Sequence, residues 1–287
     1  MNLNVKLLLK QATCMCVLVF FATTANVRAQ AVMKGFYGKE FGISLGAAYY
    51  IGDINPIIPL VGARQSVGAY FRLNRDYRWS FRTNVIYGKV TANDANNKLE
   101  ALRNRNLTFQ SNIFEVSEQV EFNFWPYRVD ESNYAFSPYA FIGLGAFYFN
   151  PKATYNNELV ALQPLATEGQ GLLNYRKPYK RIALNMPLGM GIKVGLQEKW
   201  TVQLEFSIRK TNTDYIDDVS STYKNPLLIK SNTGVAAAAL SDPSTTASTF
   251  AKVGHLRGNP DTNDWYGFTH VSLSYSLPNK RKHCPAQ

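Results

Sequence analysis

The stretch Trp200-Thr-Val-Gln-Leu-Glu-Phe-Ser-Ile-Arg209 alternates without a break: Trp200, Val202, Leu204, Phe206 and Ile208 fall on one side, and Thr201, Gln203, Glu205, Ser207 and Arg209 on the other. Successive side chains of a strand point to opposite faces, so these ten residues read as a strand with one apolar and one wet face. The same period recurs at 39–50, 65–73, 79–90, 112–124, 137–149, 183–194 and 265–277. Most of these reach the length a tilted membrane strand needs. The pattern predicts an all-β fold, an eight-stranded antiparallel transmembrane β-barrel with short periplasmic turns and long extracellular loops.

The chemistry of the two faces sets this barrel apart from a soluble one. In the third strand Trp79, Phe81, Val85 and Tyr87 oppose Arg82 and Asn84. In the sixth, Leu184, Met186, Leu188, Met190 and Ile192 oppose Asn185, Gly189, Gly191 and Lys193. A lipocalin-like barrel would hold the apolar set inside and show polar residues to water. In the first strand Gly42, Ser44, Gly46 and Ala48 make a small-residue face suited to a crowded lumen, behind Phe41, Ile43, Leu45, Ala47 and Tyr49. Aromatic residues at strand ends, such as Trp79 with Tyr87 and Trp265 with Tyr275, match interfacial girdles. One residue objects: the phase that sends Phe114, Val116, Val120 and Phe122 to lipid sends Glu118 there too. Either a bulge near Ser117 shifts the register, the favoured reading, or Glu118 meets a partner protein.

Connections alternate in length. Asn74-Arg75-Asp76 and Gln197-Glu198-Lys199 are tight, whereas the third-to-fourth, fifth-to-sixth and seventh-to-eighth links are long. Outer-membrane barrels keep short turns in the periplasm, and an even strand number returns both termini there. The 126–136 connection then lies inside, and the one around Pro56 and Pro59 outside. The 211–264 loop contains Val235-Ala-Ala-Ala-Ala-Leu240, and part of it is expected to be mobile.

Residues 1–29 read as a signal peptide: Lys6 and Lys10 precede an apolar run, and Val27-Arg28-Ala29 suits a signal peptidase. The barrel is assigned to 30–278 and a basic periplasmic tail to 279–287. Of the net charge of +11, Lys6, Lys10 and Arg28 leave with the leader. The remaining excess is scattered, without a basic helix or aromatic platform, which argues against nucleic acid as a partner. Cys14 and Cys16 also leave, so Cys284 has no partner for an internal disulfide, and cysteine-based metal sites are excluded.

Few residues invite a chemical reading. Arg82, Glu115, Gln119, Glu121, Lys193, Glu205 and Arg209 all fall on the wet face. An eight-stranded interior is just wide enough for side chains, so they are expected to form a paired polar plug rather than an ion path. His270 shares a face with Ser272 and Ser274, but period two makes such neighbours automatic, and neither a positioning acid nor an oxyanion motif accompanies them. Asp214, Asp217, Asp218, Asp261 and Asp264 gather at the outer mouth, where an ion-pair cluster with Arg257 and Lys210 is favoured over a metal site. No catalytic residue, cofactor or metal is expected.

Three segments carry a family resemblance: Tyr49-Tyr-Ile-Gly-Asp-Ile-Asn55, Thr211-Asn-Thr-Asp-Tyr-Ile-Asp-Asp-Val-Ser220, and Arg257-Gly-Asn-Pro260 leading to Asn263-Asp-Trp-Tyr266. In that order they are similar to the PorG-like outer-membrane barrels of Bacteroidota. The resemblance implies a non-enzymatic accessory component of the type IX secretion machinery, associated with a periplasmic ring built by the lipoprotein PorK and its partner PorN. The topology places the short turns and the tail beneath the barrel, where Arg75, Asp76, Arg128, Glu198, Lys199, Lys280, Arg281 and Lys282 are the expected partner contacts. Outer-membrane lipids are the other expected partner. The rival readings are a small ligand-binding barrel and a lipid-modifying enzyme.

Overall fold

The computed structural model describes residues 38–55, 60, 62–172, 175–244 and 253–277. The expected leader, the tail with Lys280, Arg281 and Lys282, and Cys284, Pro56 and Pro59 lie outside the described residues. Nine strands form: β1 (Gly38–Ile51), β2 (Arg64–Asn74), β3 (Trp79–Asn93), β4 (Thr108–Asn123), β5 (Phe136–Tyr155), β6 (Glu158–Ala161), β7 (Ile182–Leu196), β8 (Trp200–Thr211) and β9 (Trp265–Leu277). Between them lie three short helices, α1 (Glu100–Arg105), α2 (Pro226–Thr233) and α3 (Val235–Ser241).

Eight strands close into an antiparallel barrel in the order β4-β3-β2-β1-β9-β8-β7-β5, and β5 pairs back onto β4. The first and last strands pair from Lys39–Leu277 to Ile51–Trp265. Closure leaves no unpaired edge, the condition for a sheet to exist in hydrocarbon. The ninth strand, β6, only doubles the end of β5 through a tight turn at Asn156 and Asn157, both of which take positive φ.

Strands β3, β4 and β5 run several residues beyond the alternating segments at the long-loop end. There Gln110, Asn112, Asn150 and Lys152 face outward, so the apolar signal stops, while backbone pairing continues through Gln110–Lys152 and Asn93–Thr108. Below that level the outer wall is apolar: Ile43, Leu45, Leu144, Ile182, Leu184 and Met190 are all more than half exposed. A continuous exposed apolar belt closed on itself is a lipid-facing surface, and the fold is that of an outer-membrane barrel. No helix among the described residues is long and apolar enough to cross a membrane. The short-turn end carries aromatic pairs, Trp79 with Phe122, Trp200 with Tyr275 and Trp125 with Phe136.

One expectation is corrected. No bulge occurs near Ser117: β4 stays in unbroken register with β3, through Thr83–Glu118 and Asn84–Ser117, and with β5, through Ser117–Gly145 and Glu118–Leu144. Glu118 therefore points outward and is exposed. The 211–264 loop, in its described part, is packed rather than loose. Ile216 and Val219 are buried in the cluster that fills the barrel mouth, Ile229 and Ala237 are also buried, and Asn225 caps α2 by accepting from the Leu227 amide. The run of alanines forms α3 because alanine carries the best helix propensity and fits a close contact. Part of this loop was expected to be mobile, and its residues 245–252 lie outside the described set.

Candidate functional site

The lumen is filled in two layers, and the lower one is ionic. Arg82, Glu115, Gln119, Glu121, Lys193, Glu205 and Arg209 all face inward and are buried. Glu121 is the hub. Its carboxylate meets Arg72 Nε at 2.9 Å, Arg82 Nε at 2.9 Å and Lys193 Nζ at 2.6 Å. Arg82 reaches on to Glu205 at 2.7 Å, and Arg72 to Glu40 at 2.8 Å and to Gln203 at 2.7 Å. Glu40 also accepts from Asn74 and Ser274, and Glu205 from Tyr139. Nearer the long-loop end, Arg209 pairs with Glu115 at 3.1 Å, and Glu115 accepts from Tyr266 and Asn185.

Arg72 and Glu40 escaped the sequence reading, although the signal was present. Arg72 lies between outward Phe71 and Leu73, and Glu40 precedes outward Phe41, so the same alternation placed both inside. With them the lumen holds four buried carboxylates (Glu40, Glu115, Glu121, Glu205) and four buried cations (Arg72, Arg82, Lys193, Arg209). A low-dielectric interior tolerates charges only when they are mutually satisfied, and this set is balanced. Small residues make the room: a Cβ on Gly42 would lie 2.2 Å from the Tyr70 ring.

His270 does not engage Ser272 or Ser274. Its Nε2 lies 2.8 Å from Ser66 Oγ, and its ring stacks on Phe268. Ser66 and His270 both sit opposite Gly46 in register, where a Cβ would strike the Thr269 carbonyl and the imidazole. No carboxylate hydrogen-bonds the imidazole among the described contacts, although Glu205 stands opposite His270 in register.

Above the charges the filling becomes apolar. Ile86, Val90, Phe109, Ile113, Phe147, Phe149 and Phe268 occupy the lumen and merge with Ile54, Leu107, Leu162, Ile216 and Val219 from the loops. Phe149, Tyr179 and Tyr215 continue it as a stack of nearly parallel rings. The long loops thus form a cap whose core is continuous with that of the barrel.

The acidic residues hold the cap, though not through the expected cation partners. Tyr50 Oη lies 2.6 Å from Asp217 Oδ2 and 2.5 Å from Asp264 Oδ1. One hydroxyl has one proton to donate, so one of the two carboxyls keeps its own. Burial raises both acids well above the usual carboxylate range, Asp53 adding to the effect at Asp217 and Asp217 at Asp264. Asp218 accepts from Thr167 at 2.5 Å and from Tyr179 at 2.7 Å, and burial brings its pKa to about 6 against the opposing pull of Arg257. Asp214 is pushed up to about 8 by burial, with Asp53 and Glu168 adding to the rise and Ser220 opposing it. Arg257 pairs with Glu168 at 3.0 Å and donates to the Asp218 carbonyl. Lys210 and Asp261 lie exposed. No group of three or more His, Cys, Asp or Glu among the described residues converges to hold a metal.

At the opposite end the described turns carry balanced charge. Arg75, Asp76, Glu198 and Lys199 are exposed. Asp76 closes its own turn by accepting from the Arg78 and Trp79 amides. Arg128 is held by Asp130 at 2.6 Å and Glu131 at 2.7 Å, and these partners raise its pKa. A positive excess at this rim would rest on Lys280, Arg281 and Lys282, outside the described residues.

The family model of a domain of unknown function, DUF6089, matches residues 13–228. The chain belongs to this family. In this DUF6089 protein the matched region runs through β1–β8 and two of the three resemblance segments; β9 and the Arg257 segment follow it. Comparison with curated proteins finds no match. Among solved structures, the chain is similar to the attachment invasion locus protein Ail of Yersinia pestis (8% identity, 84% of this chain and 98% of that one, TM-score 0.40). It is also similar to OprG of Pseudomonas aeruginosa (10%, 86% and 99%, 0.40) and to Neisserial surface protein A (6%, 83% and 96%, 0.39).

Proposed function

We propose that this DUF6089 barrel is a non-enzymatic anchor in the outer membrane, an accessory component of the type IX secretion machinery that engages a periplasmic ring of the PorK and PorN kind. The observation that carries the reading is the use of the three PorG-like segments. All three meet at one place: Tyr50 with Asp217 and Asp264, Asp53 with the Asn259 amide at 2.9 Å, and Arg257 with the Asp218 carbonyl. These segments are the ties that lock the cap onto the barrel, and the reading rests on their resemblance to the PorG-like pattern. A lumen plugged by charge below and by aromatic packing above leaves no continuous channel, which turns function to the rims and the outer wall. Both termini then face the periplasm, and the Arg75, Asp76, Arg128, Glu198 and Lys199 turns, with Lys280, Arg281 and Lys282, meet the ring.

Purification of the tagged protein from native membranes tests this. Ring lipoprotein and partner should co-purify, and deletion of the gene should block secretion of type IX substrates; a barrel that purifies alone from a strain with normal secretion overturns the reading. Replacing Arg75, Arg128 and Lys199 by Glu should weaken the association while leaving the barrel assembled. Ligand binding is a second reading with one feature in its favour. A groove of about 520 Å³ beside β3–β5 joins apolar Ile54, Phe109 and Leu159 to the cations Arg64, Lys98 and Lys152. Retention of an anionic amphiphile through purification, lost in Arg64→Ala, would favour it.

A further inference from the structure

Between the aromatic girdles, the outward faces of the eight barrel strands carry alkyl and aromatic side chains, a few small residues, Pro138, Thr83 and Thr269, and a single charged residue, Glu118. Its depth follows from the register. On β4 it stands four residues from Phe122 and four from Phe114, and its cross-strand partner Thr83 stands midway between Trp79 and Tyr87 on β3. Glu118 is thus at the middle of the apolar belt, too far from either interface for a short side chain to reach water. A carboxylate there opposes insertion into lipid.

A second irregularity lies beside it. On its other flank Glu118 faces Leu144, which at 73% is the most exposed large apolar side chain described. The β5–β7 ladder is interrupted at that point: pairing runs from Phe136–Val194 to Ile142–Leu188, and resumes at Gly145–Asn185 in the same register. The missing rungs are Gly143–Pro187 and Leu144–Met186, and Pro187 has no N–H to donate. An outward carboxylate and a broken ladder therefore adjoin on one patch of wall at mid-membrane. Pure hydrocarbon satisfies neither; a protein surface can satisfy both.

We propose that the Glu118–Leu144–Met186 patch is a lateral docking site, within the bilayer, for another integral membrane protein that presents a lysine or arginine at mid-depth. Charge complementarity selects this occupant. A second copy of the chain has one outward cation near that row, Lys210, in register with Met186, but it stands at the girdle beside Trp265; at the depth of Glu118 the described belt offers Glu118 itself, Thr83, Thr269 and alkyl groups. The site lies on the wall and not at the turns, so it stands or falls independently of the periplasmic ring.

Photo-crosslinking in the native outer membrane tests the proposal, with a photoreactive residue at position 144 and, as the control on the opposite wall, at 273. Position 144 should yield a discrete adduct with an integral membrane protein and position 273 none. The adduct should survive Glu118→Asp and fall at least tenfold in Glu118→Gln and Glu118→Leu, with heat-modifiable mobility verifying barrel assembly in each variant. An adduct unaffected by Glu118→Gln overturns the cation; one containing only this chain overturns the hetero-partner; only lipid adducts at 144 overturn the site. In synthetic bilayers, where no partner exists, Glu118→Leu should raise the unfolding midpoint of the isolated barrel, and an unchanged or lowered midpoint would show that the carboxylate is not a cost to insertion.

Discussion

The two halves of the lumen solve one filling problem with opposite chemistry. Below, eight ionic side chains pair around Glu121 and Glu115; above, phenyl rings and aliphatic groups pack with the loops. The ionic groups of the lower half all come from strands, with Tyr127 of the β4–β5 connection beneath Lys193, whereas the upper half is completed by side chains from as far as Ile216 and Val219. Charges inside a barrel constrain which neighbours must be present, since each removal strands a partner; apolar packing constrains volume and couples the barrel to its cap.

The largest effect is expected from Arg72→Leu, which leaves Glu40 and Glu121 short of a shared cation. Breaking a buried pair costs about 3–5 kcal/mol, so urea unfolding in vesicles should show a large loss, and a near-neutral result would mean that water enters the lower lumen. Ile216→Ala should cost roughly 2–4 kcal/mol, but locally: amide exchange in 211–244 should quicken while the barrel midpoint holds. If both change together, the cap and barrel are one cooperative unit. Tyr50→Phe removes the hydroxyl shared by Asp217 and Asp264 and should cost about 1–3 kcal/mol in cap stability, again read by exchange.

A further effect is the pH dependence of the cap. Asp214, with a pKa of about 8, and Asp218, at about 6, hold protons that an unfolded loop would release near pH 4. Asp217 and Asp264 are raised in the same direction. The folded cap then binds more protons than the unfolded one, so its stability is greatest in acid and falls as pH climbs from about 4 to about 8. Proteolysis of the cap at pH 5.5 and pH 8.5 should be slower in acid, and Asp214→Asn should flatten that difference. The lower lumen offers the contrast, because its acids are matched by cations.

Legibility follows the same division. The lumenal positions of Arg82, Glu115, Glu121, Lys193, Glu205 and Arg209 were readable from alternation alone, and Arg72 and Glu40 were equally readable by phase. The partners of Asp217, Asp218 and Asp264 were not. They were expected to be Arg257 and Lys210, near in sequence, but are Tyr50 at the end of β1 and Thr167 and Tyr179 from a loop, met by acids on loops with no period to read.

By itself the sequence determined the number of barrel strands, the closed antiparallel barrel, the two faces of its strands and the alternation of short and long connections. Those follow from a local rule, the two-residue repeat of a strand meeting lipid on one side. Only the tertiary structure decided that Glu118 stays outward in unbroken register, that the β5–β7 ladder breaks at Pro187 beside it, that Glu121 is the hub of the plug, and that 211–244 packs as a cap. Each of these is a relation between residues distant in the chain, and distance in the chain is what a periodic signal does not encode.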